Sequence, residues 1–72
     1  MKEQIKKIKL LLWEYELKNS WLILQLKKRG IDVDKSTMSE ILNGRREGEK
    51  ARVIVENSLD VLKWYGKNFE NV

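Results

Sequence analysis

The chain has 72 residues, a formal net charge of +4, and neither cysteine nor histidine. That length makes one domain near the lower limit for folding without cross-links. The missing residue types exclude disulfides, thiolate or imidazole metal sites and histidine general bases. The positive excess favours a polyanionic partner.

The longest apolar run near the start, Leu10-Leu11-Leu12-Trp13, is closed by Glu14. A membrane-spanning helix needs about 20 apolar residues and a signal peptide an apolar stretch of about 7–15. The mature protein is therefore expected to start at Met1 and to have no membrane partner. A small domain without disulfides fits the reducing cytoplasm.

Residues 3–18 predict a first helix, with Ile5, Ile8, Leu12 and Tyr15 recurring on one face. Leu10, Trp13 and Leu17 form a second stripe, read first as a wider core-facing surface, with a partner chain as the alternative. Asn19 or Ser20 is expected to cap a second helix over 21–29, whose apolar face is Leu22, Ile23 and Leu26. Lys28 and Arg29 followed by Gly30 mark its end. Residues 30–34 connect, and Ile31 and Val33 plug the core from the turn. Asp34 is placed to cap a third helix over 35–43, accepting from the N–H of Ser36 or Thr37. Met38, Ile41 and Leu42 form its buried face, and Asn43-Gly44 stops it. A basic loop, Arg45-Arg46-Glu47-Gly48, leads into a fourth helix over 49–66. Ala51, Ile54, Val55, Ser58, Val61, Leu62 and Tyr65 share its broad face. Gly66 is expected to end it, and Phe69 to fold back or lie with the tail.

The second and third helices make a pair of short helices around a turn. The outer face of the third carries Ser36, Thr37 and Ser39, side chains small enough for the backbone to approach base edges in a major groove about 12 Å wide. Lys35 can reach guanine acceptors or a phosphate. Glu40 can accept from cytosine N4. Arg45, Arg46, Lys50 and Arg52 follow where a backbone clamp would sit.

Residues 34–46, Asp34-Lys35-Ser36-Thr37-Met38-Ser39-Glu40-Ile41-Leu42-Asn43-Gly44-Arg45-Arg46, resemble the recognition helix and following loop of the phage-repressor and Cro-like helix-turn-helix family. The match is good over 33–46 and extends over 20–62. The resemblance implies an all-α, compact four- to five-helix bundle containing a helix-turn-helix, residues 1–72 forming that single domain. It also implies a bacterial or phage transcription regulator of repressor type that binds double-stranded DNA. By resemblance, Lys35, Ser36 and Ser39 or Glu40 face bases, while Thr37, Asn43, Arg45 and Arg46 contact or position phosphates. Ser20 and Trp21 are the second-helix candidates for backbone contact. The chain departs from the family in a link from Gly30 to Asp34 that is about two residues longer than the usual three to four. It departs again at Ile23-Leu24-Gln25, where the family has a small residue.

Plainer readings accompany these. Ser36-Thr37 can serve capping alone, and Asn43-Gly44 is first a helix stop. Lys27-Lys28-Arg29 reads as a solvated last turn, and Lys6, Lys7 and Lys9 as the wet face of the first helix. Lys50 and Arg52 can pair with Glu47, Glu49 or Glu56. Trp13, Trp21 and Trp64 read as packing residues. Asp32 and Asp34 are explained by a turn and a cap. Gly44 to Lys50 lacks the spacing of a phosphate-binding Walker loop, and no base stands ready to activate a Ser or Thr. No enzymatic activity, cofactor or small-molecule substrate is expected. A homodimer could form through Leu10, Trp13 and Leu17, or through Leu59 and Trp64. The competing reading is a helix-turn-helix-shaped module that binds another protein, motivated by Glu40 and the modest charge. A weaker one lays the first helix on an anionic membrane, against which Glu14 and Glu16 argue.

Overall fold

A computed structural model describes residues 1–70, so the last two residues of the expected 1–72 domain lie outside the description. Four α-helices follow in chain order: α1 (Lys2–Glu14), α2 (Asn19–Lys28), α3 (Lys35–Leu42) and α4 (Glu49–Tyr65). A π-helical turn, Gly66–Glu70, extends α4. No strand occurs among the described residues. The protein is all-α, as the periodicity predicts. Its radius of gyration, 11.4 Å, is close to the roughly 11 Å of a well-packed chain of this length.

The longest helix, α4, is the spine. It packs against α1 and α2, while α3 packs on α2. The core comprises Ile8 and Leu12 of α1, Leu22 and Leu26 of α2, Met38, Ile41 and Leu42 of α3, and Ala51, Ile54, Val55, Val61 and Leu62 of α4. All stand at positions that recur every three or four residues, so each helix turns one stripe inward. Fully burying a large aliphatic side chain contributes about 1.5–3 kcal/mol. Ile31 and Val33, from the α2–α3 connection, pack partly buried against this core.

The chain turns its three corners in one way. The N–H of Leu17 donates to Leu12 O at 2.8 Å, that of Ile31 to Leu26 O at 2.9 Å, and that of Arg45 to Glu40 O at 2.8 Å. One residue earlier, Glu16, Gly30 and Gly44 donate to Trp13, Lys27 and Ile41. Each pair forms a Schellman motif, which satisfies carbonyls that the helix end leaves open. The motif needs a left-handed residue, and Glu16 (φ 56), Gly30 (φ 82) and Gly44 (φ 73) supply it. At the first two corners the next residue is aliphatic, and Leu17 and Ile31 fold onto the core. At the third it is Arg45, which stays exposed.

Several expectations are corrected. Helix α1 ends at Glu14 rather than residue 18, because Glu16 adopts the left-handed turn without a glycine to announce it. Helix α2 then starts early: Lys18, extended at φ −104 and ψ 162, is its N-cap and makes no side-chain capping bond. Asn19 and Ser20 are first-turn residues instead of the cap. The second stripe of α1 does not widen the core. Trp13 is 77% exposed and Leu10 51% exposed, and only Leu17 packs inward. Trp13 is therefore not a packing residue. Trp21 does pack, in an aromatic group in which the Tyr65 ring lies 5.3 Å from Tyr15 and from Trp21 and 5.2 Å from Phe69; Trp64, half-exposed, meets the exposed Phe69 at 5.3 Å and does not join the core. Such pairs add about 0.5–1.5 kcal/mol beyond area burial. Arg29, expected in a merely solvated turn, ties α2 to α4 through Asp60 at 3.0 Å and Asn57 at 3.3 Å.

Gly66 is the C-cap of α4, as expected, but not through a left-handed turn. Its backbone is right-handed (φ −60, ψ −41) and runs into the π turn. It is a glycine for space, since a Cβ there would collide with the Tyr15 hydroxyl. Tyr15 thus sets the C-terminal end of α1 against that of α4. The N-terminal turns of α1 lie beside Gly44, Arg46 and Glu47, just before α4 begins. The first and last helices therefore run parallel.

Replacing Glu16 with Gly removes the cost of a left-handed L-residue and should stabilise the protein by about 1 kcal/mol; an unmoved urea midpoint would show that Glu16 bears no such cost. Gly66→Ala, by contrast, should destabilise by about 1–3 kcal/mol through overpacking against Tyr15, read as a lower melting temperature with the near-UV tyrosine signal changed.

Candidate nucleic-acid interface

Helix α3 is short and fixed at both ends. Asp34, extended at φ −88 and ψ 170, is its N-cap, and its Oδ1 accepts from the Thr37 N–H at 2.7 Å. Hydrogen bonding from Thr37, through its side chain and then its backbone N–H, holds the Asp34 carboxyl below the usual carboxylate value. At the other end Asn43 is the C-cap, and Gly44 makes the left-handed turn. Eight residues at 1.5 Å each give a rod of about 12 Å.

Burying Met38, Ile41 and Leu42 leaves one face for solvent. Ser36, Ser39, Glu40 and Asn43 recur there at helical spacing, with Lys35 exposed in the first turn. Asn43 Nδ2 donates to Ser39 Oγ at 3.4 Å. Arg46 Nε donates to Glu40 Oε1 at 2.7 Å. Both members of that pair are about half-exposed, so solvent screens it and its net contribution to stability is small. It does set directions: Arg46 folds back over the end of α3 and neutralises the one carboxylate on the outward face.

The structure thus brings Lys35, Ser36, Ser39, Glu40, Asn43 and Arg46 of the expected site together. Arg45 is exposed beside them, and no side-chain hydrogen bond or ion pair engages it among the described residues. Thr37 and Lys50 lie on the other flank, in a shallow depression of about 370 Å³ shared with Asp32 and Asp34. Two carboxylates there offset the Lys50 charge, and the capping Asp34 already occupies the N-terminus of α3. Ser20 is exposed in the first turn of α2 and makes no side-chain hydrogen bond among the described residues. Arg52 is held on α4 by Glu49, with Nε to Oε1 at 3.0 Å, and by Glu56 at 3.3 Å. Those carboxylates raise its pKa further.

Three charges absent from the sequence-based site also reach it. Lys2, Lys6 and Lys9 of α1 line a groove of about 460 Å³ whose other wall is the corner after α3, including Asn43 and Arg46. Their spacing of four and three is visible in the sequence, but what that face of α1 meets is a tertiary fact. Among the described residues no group of three or more His, Cys, Asp or Glu gathers to hold a metal, and no helix is long and apolar enough to cross a membrane.

The chain matches no protein-family model, no curated protein and no solved structure.

The Asp34 cap has a pH signature. Its folded pKa is depressed, so its stabilisation is present above the unfolded carboxylate value near 3.8 and disappears as pH falls through the lower folded value. Asp34→Ala should lower the melting temperature at neutral pH, and the gap from the parent should close in that acid range. A gap independent of pH would mean that the carboxylate charge takes no part.

Proposed function

We propose that the protein binds double-stranded DNA by laying α3 in the major groove, and that it acts as a small repressor-type transcription regulator in the cytoplasm. One observation carries this reading. Three corners share one backbone motif, and two follow it with an aliphatic that seals the core. The third puts Arg45 in that place, with Arg46 next to it, beside the polar outward face of α3. The core gains nothing from an arginine there, whereas a phosphate backbone would engage one.

The roles follow from placement. Lys35, Ser36 and Ser39 are short or flexible donors on a rod of about major-groove width. Arg45 supplies a phosphate contact directly. Arg46 and Glu40 form an exchangeable pair: when a phosphate takes Arg46, the Glu40 carboxylate is freed to accept from a cytosine amino group. Asn43 fixes the end of α3, and Thr37, Lys50 and Ser20 are outer backbone contacts. The resemblance of residues 34–46 to repressor recognition helices supports the same assignment, with α2 and α3 as the helix-turn-helix. Exposed Leu10 and Trp13 on α1, or Trp64 on α4, are the surfaces for a second copy. The competing reading is that α3 binds another protein, and Glu40 on its outward face is the observation behind it.

Selection from a random duplex pool, followed by anisotropy titration across salt, tests the proposal. An enriched motif should emerge, palindromic if two copies bind. Arg45→Ala with Arg46→Ala should weaken binding and reduce the log–log salt slope by about 2. Glu40→Gln should bind all duplexes more tightly and lose preference at one cytosine position. No enrichment, with binding insensitive to salt and to the arginines, would point to a protein ligand instead.

A further inference from the structure

Lys2, Lys6 and Lys9 recur at i, i+4 and i+7 and so share one face of α1. All are exposed, and none joins an ion pair among the described residues. They form one wall of the groove and Arg46 stands in the other, with Glu47 the sole carboxylate lining it among the described residues. Ile5 and Leu42 add an apolar lining between the walls. Seven residues of helix set the lysine row about 10 Å long, and the flexible lysine stems let such a row reach neighbouring phosphates of one DNA strand. Arg46 joins this groove to the outward face of α3, because the side chain that lines the groove also donates to Glu40.

We propose that the groove seats the sugar–phosphate backbone flanking the DNA site that α3 reads, with Lys2, Lys6 and Lys9 on successive phosphates of one strand. The inference rests on the DNA reading and extends it to α1. A lysine ammonium is a hydrated point charge on a flexible stem, suited to holding a backbone whatever the bases. The concavity favours a rod over a sheet: a strand can lie between α1 and the facing corner, whereas a flat bilayer meets only a convex surface. With phosphates in the groove, Arg46 is drawn from Glu40, so occupation of the α1 wall and release of Glu40 toward the bases are coupled.

The test compares the parent protein, a Lys2→Gln, Lys6→Gln, Lys9→Gln variant and a Lys63→Gln, Lys67→Gln control on a mixed-sequence duplex of roughly 20 base pairs, about two helical turns. Glutamine keeps the helix propensity of lysine, and circular dichroism confirms the fold. The triple variant should bind at least about tenfold more weakly at roughly 0.1 M salt, with the log–log salt slope reduced by about 2–3, while the control, one lysine in the last turn of α4 and one in the π turn beyond it, changes little. In the parent, bound duplex should slow acetylation of Lys2, Lys6 and Lys9. An unchanged slope in the triple variant, or unchanged acetylation, overturns the groove. If Arg45→Ala with Arg46→Ala still weakens binding, the groove alone falls; if the parent itself shows no salt-dependent binding, the DNA reading falls with it. Protection by phosphatidylserine vesicles but not by duplex would overturn it in favour of a membrane surface.

Discussion

Three backbone hydrogen bonds, from Leu17 to Leu12, Ile31 to Leu26 and Arg45 to Glu40, set the directions in which the four helices leave one another. Each turns the chain within about three residues of a helix end while leaving few carbonyls unsatisfied. A small chain without cross-links depends on such economy, because long connections would add ordering entropy without adding core. The inward stripes of α1, α2 and α3 can meet α4, or each other, only because the corners aim them there.

The same device explains where a core residue gives way to a surface one. After the left-handed residue, the chain points back at the helix it has just left. Leu17 and Ile31 use that direction to close the core. Arg45 and Arg46 use it to place charge at the end of α3, and Arg46 reaches Glu40. The outward face of α3 and the corner behind it are thus one unit of local structure, all within residues 34–46. The lysines of α1 are joined to that unit from a distance.

This difference decides what could be read from the chain. All buried aliphatics were visible as stripes, because a helix repeats its face every three or four residues. Gly30 and Gly44 announced two corners. Glu16 concealed the third: an L-residue in the left-handed region leaves no mark in composition, so α1 looked four residues longer and the start of α2 was displaced. Trp13 misled for the opposite reason, since a large apolar side chain at helical spacing resembles core whether or not anything covers it. Gly66 marked the end of α4, yet its missing Cβ serves Tyr15 and not a left-handed stop. Within the site, the face of α3 was legible, being local. The Glu40–Arg46 pair needed the geometry of the corner, and the groove needed the packing of α1 on α4.

That parallel packing bears on how the protein is made. Most contacts within a helix or around a corner form between near neighbours and close quickly. Docking α1 beside α4 joins the two ends of the chain, so it carries the largest loop-closure cost and is the event that contact separation would make slow. The lysine-lined groove has one wall on each side of that closure. Until α1 has docked beside the last helix, the chain has no such groove.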